Sequence, residues 1–327
     1  MKPSRHRRIT LAAIATLALA GAQTSVWAQT DYPTRAVSLV VSFPPGSGAD
    51  TTARVYAKRL QELSKQSFVV DNRPGGNSFI AALAVARAKP DGYTLFFSSN
   101  AIALHPAIFK KLPYDPVGDF APVARAARGT NVLVTGAQSP YKTLADLVAD
   151  AKARPEAITY GAGGPGYRLF IELLAGSLGV KFRDVAYKGA APAVMDAAAG
   201  GVDFSIGDVT AVTPLINGGK LRALAVSADK RHPLLPDFPT GKEVGAPDFE
   251  IYSWTALYAP AATPKPIIDR LADLMRQANS DPEVVAAIDK LGIEVFPGGP
   301  DELRRYQAAE TERWRRTVEH AGIPLIE

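Results

Sequence analysis

The chain has 327 residues, 37 Lys+Arg against 32 Asp+Glu, and no cysteine, which excludes thiol catalysis, thiolate metal sites and disulfides. The formal charge of +5 is concentrated at the start, where Lys2, Arg5, Arg7 and Arg8 lie within 28 residues that contain no acid. Without those residues 33 Lys+Arg face 32 Asp+Glu, so no basic surplus remains for a nucleic-acid partner.

The basic start is followed by an apolar run from Ile9 to Ala22 and by Ser25-Val26-Trp27-Ala28, with small or branched residues at −3 and −1 of a cut after Ala28. This is the composition of a secretory signal peptide, and the apolar run is too short to cross about 30 Å of hydrocarbon. The chain is therefore expected in the periplasm, with the signal peptide (1–28) removed. About 299 residues would remain, a length best divided between two cores.

Val37 to Phe43 is rich in β-branched residues and reads as a buried strand, followed by the loop Pro44-Pro45-Gly46-Ser47-Gly48-Ala49-Asp50. Helical spacing runs from Ala53 to Ser64, then come a strand at Phe68–Val70, a turn at Asn72–Asn77, an Ala-rich helix from Ser78 to Arg87 and a strand at Tyr93–Phe97. Strand, helix, strand, helix, strand predicts a parallel α/β sheet. The pattern restarts with a strand at Val132–Val134, a helix from Thr143 to Ala153, a strand at Ile158–Tyr160 and the loop Gly161-Ala162-Gly163-Gly164-Pro165-Gly166. A helix at Leu169–Leu178, a strand at Asp184–Tyr187, a helix at Ala190–Ala199 and strands at Phe204–Ile206 and Leu221–Val226 complete this second unit.

The tail differs: a strand at Trp254–Ala259 precedes three helices, over 266–279, 281–291 and 301–321, which are expected to pack back on the first unit. The predicted fold is α/β with two lobes joined by a hinge. Lobe 1 comprises 29–131 plus 229–327, and lobe 2 comprises 132–228. A ligand cleft lies between them, where parallel strands present their carboxyl ends.

Both glycine loops follow a strand and open a helix, an arrangement that leaves backbone N–H groups uncovered at the positive end of a helix dipole. Such loops suit a carboxylate, one from each lobe. They are equally consistent with tight strand-to-helix turns. Asp208 ends a predicted strand and reads either as a ligand contact for an amine, hydroxyl or water, or as the cap of a following helix. Arg168, after the second loop, reads as an anion contact or as half of a surface ion pair. His105, His232 and His320 are far apart and lack metal-ligand spacing; His105 is expected in a loop before Pro106. Neither a Walker loop nor a G-x-S-x-G elbow is present, and Ser47 has no nearby base, so the chain reads as a non-enzyme without cofactor or metal.

Several segments together resemble the Bug family, the extracytoplasmic solute receptors of tripartite tricarboxylate transporters. They include Phe43-Pro44-Pro45-Gly46 with Asp50, Asn72-Arg73-Pro74-Gly75, Lys89-Pro90-Asp91-Gly92-Tyr93-Thr94-Leu95 and Asp119-Phe120-Ala121-Pro122-Val123. Tyr187-Lys188-Gly189-Ala190-Ala191-Pro192 and Gly219-Lys220-Leu221-Arg222-Ala223-Leu224 follow in order, as does Trp254 with Ala259-Pro260. The resemblance implies a type II periplasmic-binding-protein fold that captures a small carboxylate by hinge closure and delivers it to integral membrane transporter subunits, with a monomer expected. It implies ligand contacts at Pro45, Gly46, Ser47, Gly48 and Asp50, at Gly163, Gly164, Gly166, Tyr167 and Arg168, and at Asp208. The second loop departs from the family pattern: it lacks Ser, is about two residues shorter, and has Arg168 where the family places His. On this reading Arg168 touches an anionic ligand directly, and Arg168→Ala weakens binding beyond tenfold. A periplasmic sensor with the same cleft is the alternative, and an exported α/β enzyme a more remote one.

Overall fold

The computed structural model describes residues 32–320 and 322–327. The signal segment and its cut after Ala28 lie outside the described residues. In the first half of the sheet β1 (Val37–Val41) runs parallel to β2 (Phe68–Asn72) and β3 (Thr94–Ser99), with helices α1 (Gly48–Ser64) and α2 (Phe79–Ala86) as crossovers. Ser47 caps α1 by accepting the Asp50 N–H at 3.2 Å, and Lys65 closes the helix in the left-handed region. Ala53, Tyr56, Ala57 and Leu60 form its buried face, packed against Val37, Leu39 and Val41, and each large side chain contributes roughly 1.5–3 kcal/mol by burial.

Two elements here run against the sequence pattern. The expected loop around His105 is helix α3 (Ala101–Ile108), in which burial of Ile102, Ala103, Leu104, Ala107 and Ile108 outweighs the break expected at Pro106. The expected short strand at 132–134 is the end of β4 (Phe120–Gly136), 17 residues long. Arg125, Arg128 and Asn131 interrupt its apolar pattern, but tertiary partners accommodate each of them. The Arg125 guanidinium lies 4.0 Å from the Phe296 ring centroid, Arg128 lies 4.4 Å from that of Tyr252, and buried Asn131 is fully hydrogen-bonded.

Strand β4 belongs to both halves. Residues 120–130 pair with the antiparallel β9 (Tyr252–Pro260), which borders β3, and residues 131–136 pair with β7 (Phe204–Asp208) and β8 (Leu221–Val226). Beyond β7 come the parallel strands β5 (Thr159–Ala162) and β6 (Arg183–Ala186). The order is β2-β1-β3-β9-β4-β7-β5-β6, with β8 and the short β10 (Ile293–Val295) also on β4. Helices α4 (Leu144–Ala153), α5 (Pro165–Leu178) and α6 (Ala190–Ala199) fall where helical spacing predicts them, and α7 (Val209–Asn217) was hidden by Pro214 and a β-branched run.

Of the tail helices, α8 (Lys265–Asn279) and α9 (Pro282–Lys290) pack on the first half through Leu271, Leu274, Met275, Val284 and Ile288. Helix α10 (Pro300–His320) also packs on the first half, through α3, and in addition reaches the second. Its Leu303 joins the first-half core with Trp254 and Phe96, and Trp314 and Val318 join a core that combines Leu104, Ala107 and Ile108 of α3 with the second half, with Trp314 5.4 Å from Phe170. The helix is 21 residues long, enough to reach both cores. Among the described residues no helix is long and apolar enough to cross a membrane.

Where the halves join, Asn131 is fully buried. Its N–H donates to Ser227 Oγ (2.9 Å), its Nδ2 to Ile251 O (3.3 Å), and its Oδ1 accepts from Ser253 Oγ (3.2 Å). The two backbone crossings, through β4 and through the stretch leading to β9, are thereby fastened to each other at one point.

Candidate functional site

Parallel strands direct their carboxyl ends to one side, so the loops after β1 and β3 in the first half and after β5, β6 and β7 in the second gather around the junction. Two contacts show that they face each other across it. A Cβ on Gly48 would lie 3.7 Å from Thr210 Oγ1 on α7, and a Cβ on Gly166 would lie 3.9 Å from the Leu104 methyls on α3.

The first loop is built by side chains. Gly46 adopts φ +82° with open space where a Cβ would stand, and its N–H donates to Asp50 Oδ2 at 2.8 Å. Asp50 is 2% exposed and also accepts from Asn72 Nδ2 (2.8 Å) and Arg54 Nε (3.0 Å). Burial by itself would raise its pKa, but the bonds from Arg54, the Gly46 N–H and Asn72 outweigh it and hold the carboxyl below its ordinary range. Asp50 thus acts on the loop from beneath, its oxygens turned to residues of its own half. Pro45 and Ser47 shape the turn, and the N–H groups of Gly48 and Ala49 start α1 without helical acceptors. On the strand before the loop, Ser42 is 4% exposed and its Oγ has no hydrogen-bond partner among the described residues.

The second loop is built by backbone contact. A Cβ on Gly163 would fall 2.3 Å from Ala190 N and 2.6 Å from Gly189 C, so only glycine allows this loop to lie against the β6–α6 turn. Gly164, at φ +138°, ψ 175°, is the N-cap of α5 without any side-chain cap, and open space lies where its Cβ would be. Pro165 occupies the first turn, and Gly166 faces Leu104. Gly189 (φ +125°) likewise caps α6, which places a third glycine-opened helix beside the same loop. Its strand–glycine–helix context was legible in the sequence, although Gly189 was not singled out; Thr210, Leu104 and Ser42 carried no such signal.

Asp208 stands at the N-cap position of α7, but its side chain makes no capping bond. The Tyr167 hydroxyl, from the first turn of α5, donates to Asp208 Oδ2 at 2.9 Å. Burial raises the Asp208 pKa, opposed by the hydrogen bond from Tyr167, and burial raises that of Tyr167 above the ordinary phenol value. Asp208 keeps partial exposure, and its side chain does not cap the helix that follows it.

Arg168 goes the other way. It is 45% exposed, and its Nε sits 3.6 Å from Asp184 Oδ2 on β6, a surface pair within its own half rather than a group reaching across. His105 is buried with Nδ1 2.9 Å from Tyr114 Oη, and burial lowers its pKa to about 4. His232 Nε2 lies 2.9 Å from Gly292 O. Among the described residues no group of three or more His, Cys, Asp or Glu could hold a metal ion.

The family model described as tripartite tricarboxylate transporter family receptor matches residues 52–323. The protein BugT of Bordetella pertussis is 35% identical, with 94% of this chain and 96% of BugT covered. Among solved structures, R. palustris Rpa4515 with adipate superposes with TM-score 0.85 at 37% identity, covering 90% of this chain and all of that one. MatC from Rhodopseudomonas palustris with bound malate gives TM-score 0.80 at 30% identity, over 88% of this chain and all of MatC.

Proposed function

This chain belongs to the tripartite tricarboxylate transporter family of receptors, and we propose that it is a periplasmic receptor that captures a small carboxylate at the two glycine loops and hands it to the membrane subunits of its transporter. The observation that carries the binding mode is the facing pair of helix starts. Helices of 17 and 14 residues begin at the two loops, each offering backbone N–H groups that have no helical acceptor. The orphaned Ser42 hydroxyl adds a donor just before the first loop. A carboxylate held this way needs no lysine or arginine, and Arg54, Arg73 and Arg168 all pair with acids of their own half. The adipate and malate in the two structural relatives belong to the same ligand class.

Closure would bend β4 and the 227–251 stretch about the Asn131 fastening, between a first lobe of 29–131 plus 229–327 and a second of 132–228. Export fits the basic, apolar leader, and mass spectrometry of the secreted chain should give Gln29 as its first residue.

The binding role is tested by thermal shift with small carboxylates, adipate and malate among them. A ligand at 100 times its Kd stabilises by about 2.7 kcal/mol, a rise on the order of 5 °C for a chain of this length. A flat melting temperature across millimolar mono-, di- and tricarboxylates would remove the proposal.

A further inference from the structure

Resting on the receptor reading above, we infer that Asp208 and Tyr167 form an acceptor-only wall of the cleft that selects a ligand whose carboxylate is accompanied by a hydrogen-bond donor, a hydroxyl or an ammonium, over one that carries a second carboxylate there. The argument is a count of protons. A tyrosine hydroxyl has one proton, and Tyr167 gives it to Asp208 Oδ2 at 2.9 Å. What remains on the phenol oxygen is lone pairs. An ionised aspartate has only lone pairs. Both groups are partly exposed, and Asp208 lies two residues from Thr210, the point where the second half meets Gly48 of the first loop. The glycine loops are the reverse: Gly164 opens its helix with no side-chain cap, and the oxygens of Asp50 are engaged by Gly46, Asn72 and Arg54.

The cleft is therefore polarised. Donors stand at the helix starts, and acceptors stand on the Tyr167–Asp208 side. A hydroxy or amino acid satisfies both. A dicarboxylate placed the same way would bring its second anion against the Asp208 carboxylate, and like charges at short range repel. Burial raises the Asp208 pKa, while the bond from Tyr167 favours its ionised form.

The test uses two matched series at pH 7.5: adipate, 6-hydroxyhexanoate and 6-aminohexanoate, and succinate, 4-hydroxybutanoate and 4-aminobutanoate. Affinities are measured by calorimetry on the exported protein and on Asp208→Asn and Tyr167→Phe. In the series that binds, the hydroxy or amino member should bind at least about tenfold tighter than the diacid, a difference of about 1.4 kcal/mol. Asp208→Asn should bring that ratio within about threefold. Tyr167→Phe keeps the carboxylate and should keep the preference, which guards the test if Asp208→Asn folds poorly. Adipate or succinate binding as tightly as its partners overturns the inference and turns attention to Lys188, exposed beside Gly189. An unchanged ratio in folded Asp208→Asn also overturns it. Binding of none of the six overturns this inference, while the receptor reading stands or falls separately on the wider panel of mono-, di- and tricarboxylates.

Discussion

The two glycine loops occupy equivalent places in the two halves, but their conformations are held by different forces. The first is held by charge and hydrogen bonds: Asp50 gathers Gly46, Asn72 and Arg54, and Ser47 caps the helix. The second has no side-chain cap; its form follows from Gly163 lying against the Gly189–Ala190 backbone and from the positive φ of Gly164. A polar brace can lose one bond and keep the rest. A steric fit without slack cannot accept one added carbon. The second loop should therefore be the more sensitive to a small change, and the first the more sensitive to acid.

The largest effect is expected from Gly163→Ala. The new methyl would meet Ala190 N at 2.3 Å, and its neighbour there is backbone, which cannot rotate away. Overpacking of this kind typically costs about 1–3 kcal/mol. The melting temperature should fall by several degrees, and carboxylate affinity should fall by about tenfold or more because the start of α5 is displaced. Calorimetry of the variant with and without ligand checks both. Wild-type affinity would mean that the second loop can yield at Ala190 and that the contrast between the loops is false.

Asp50→Asn should come next, at about 2 kcal/mol, because buried donors lose a charged acceptor. Its pH dependence carries the sign. The folded pKa of Asp50 lies below the ordinary 3.8, so its contribution is present above that value and is lost as pH falls through the lower folded value. Melting temperatures of the two proteins should differ most at neutral pH and converge as pH falls from about 5 toward 3. A constant gap across that range would show that the carboxylate charge is not what holds the loop.

The same contrast explains what the sequence displays. The strand–loop–helix order of both units follows from periodicity, although α1 starts at Gly48, five residues before the spacing shows it at Ala53. Position 163 shows only a glycine, because the reason for it sits at Gly189 and Ala190, 26 residues on. β4 was legible only in its last three apolar residues, since Arg125 and Arg128 are accommodated by Phe296 and Tyr252 from distant parts of the chain. Asp208 could be placed at a strand end, but its partner Tyr167, 41 residues away, could not. Local chemistry leaves a local trace; contacts between distant segments leave none in a single sequence.

The smallest effect is expected from Arg168→Ala, and it bears on the outer side of the second loop. Sequence alone suggested a contact with an anionic ligand and a loss beyond tenfold. The geometry gives a 3.6 Å surface pair with Asp184, and exposed pairs contribute about 0–1 kcal/mol. Affinity should stay within about threefold. The remaining effect should lie in stability, through Asp184. Burial raises the Asp184 pKa, the Arg168 charge lowers it, and Glu172 raises it again. Without the arginine the folded pKa rises further above the unfolded value of 3.8, so the ionised carboxyl becomes the costlier form. The stability loss should thus be absent in acid, where Asp184 is protonated, and should grow as pH rises through the folded pKa toward neutrality. Melting curves at about pH 4 and 7, with one ligand titration at each, separate the outcomes: a gap that opens with pH and an unchanged affinity place Arg168 with its own half, whereas a tenfold loss of affinity would carry it across the cleft.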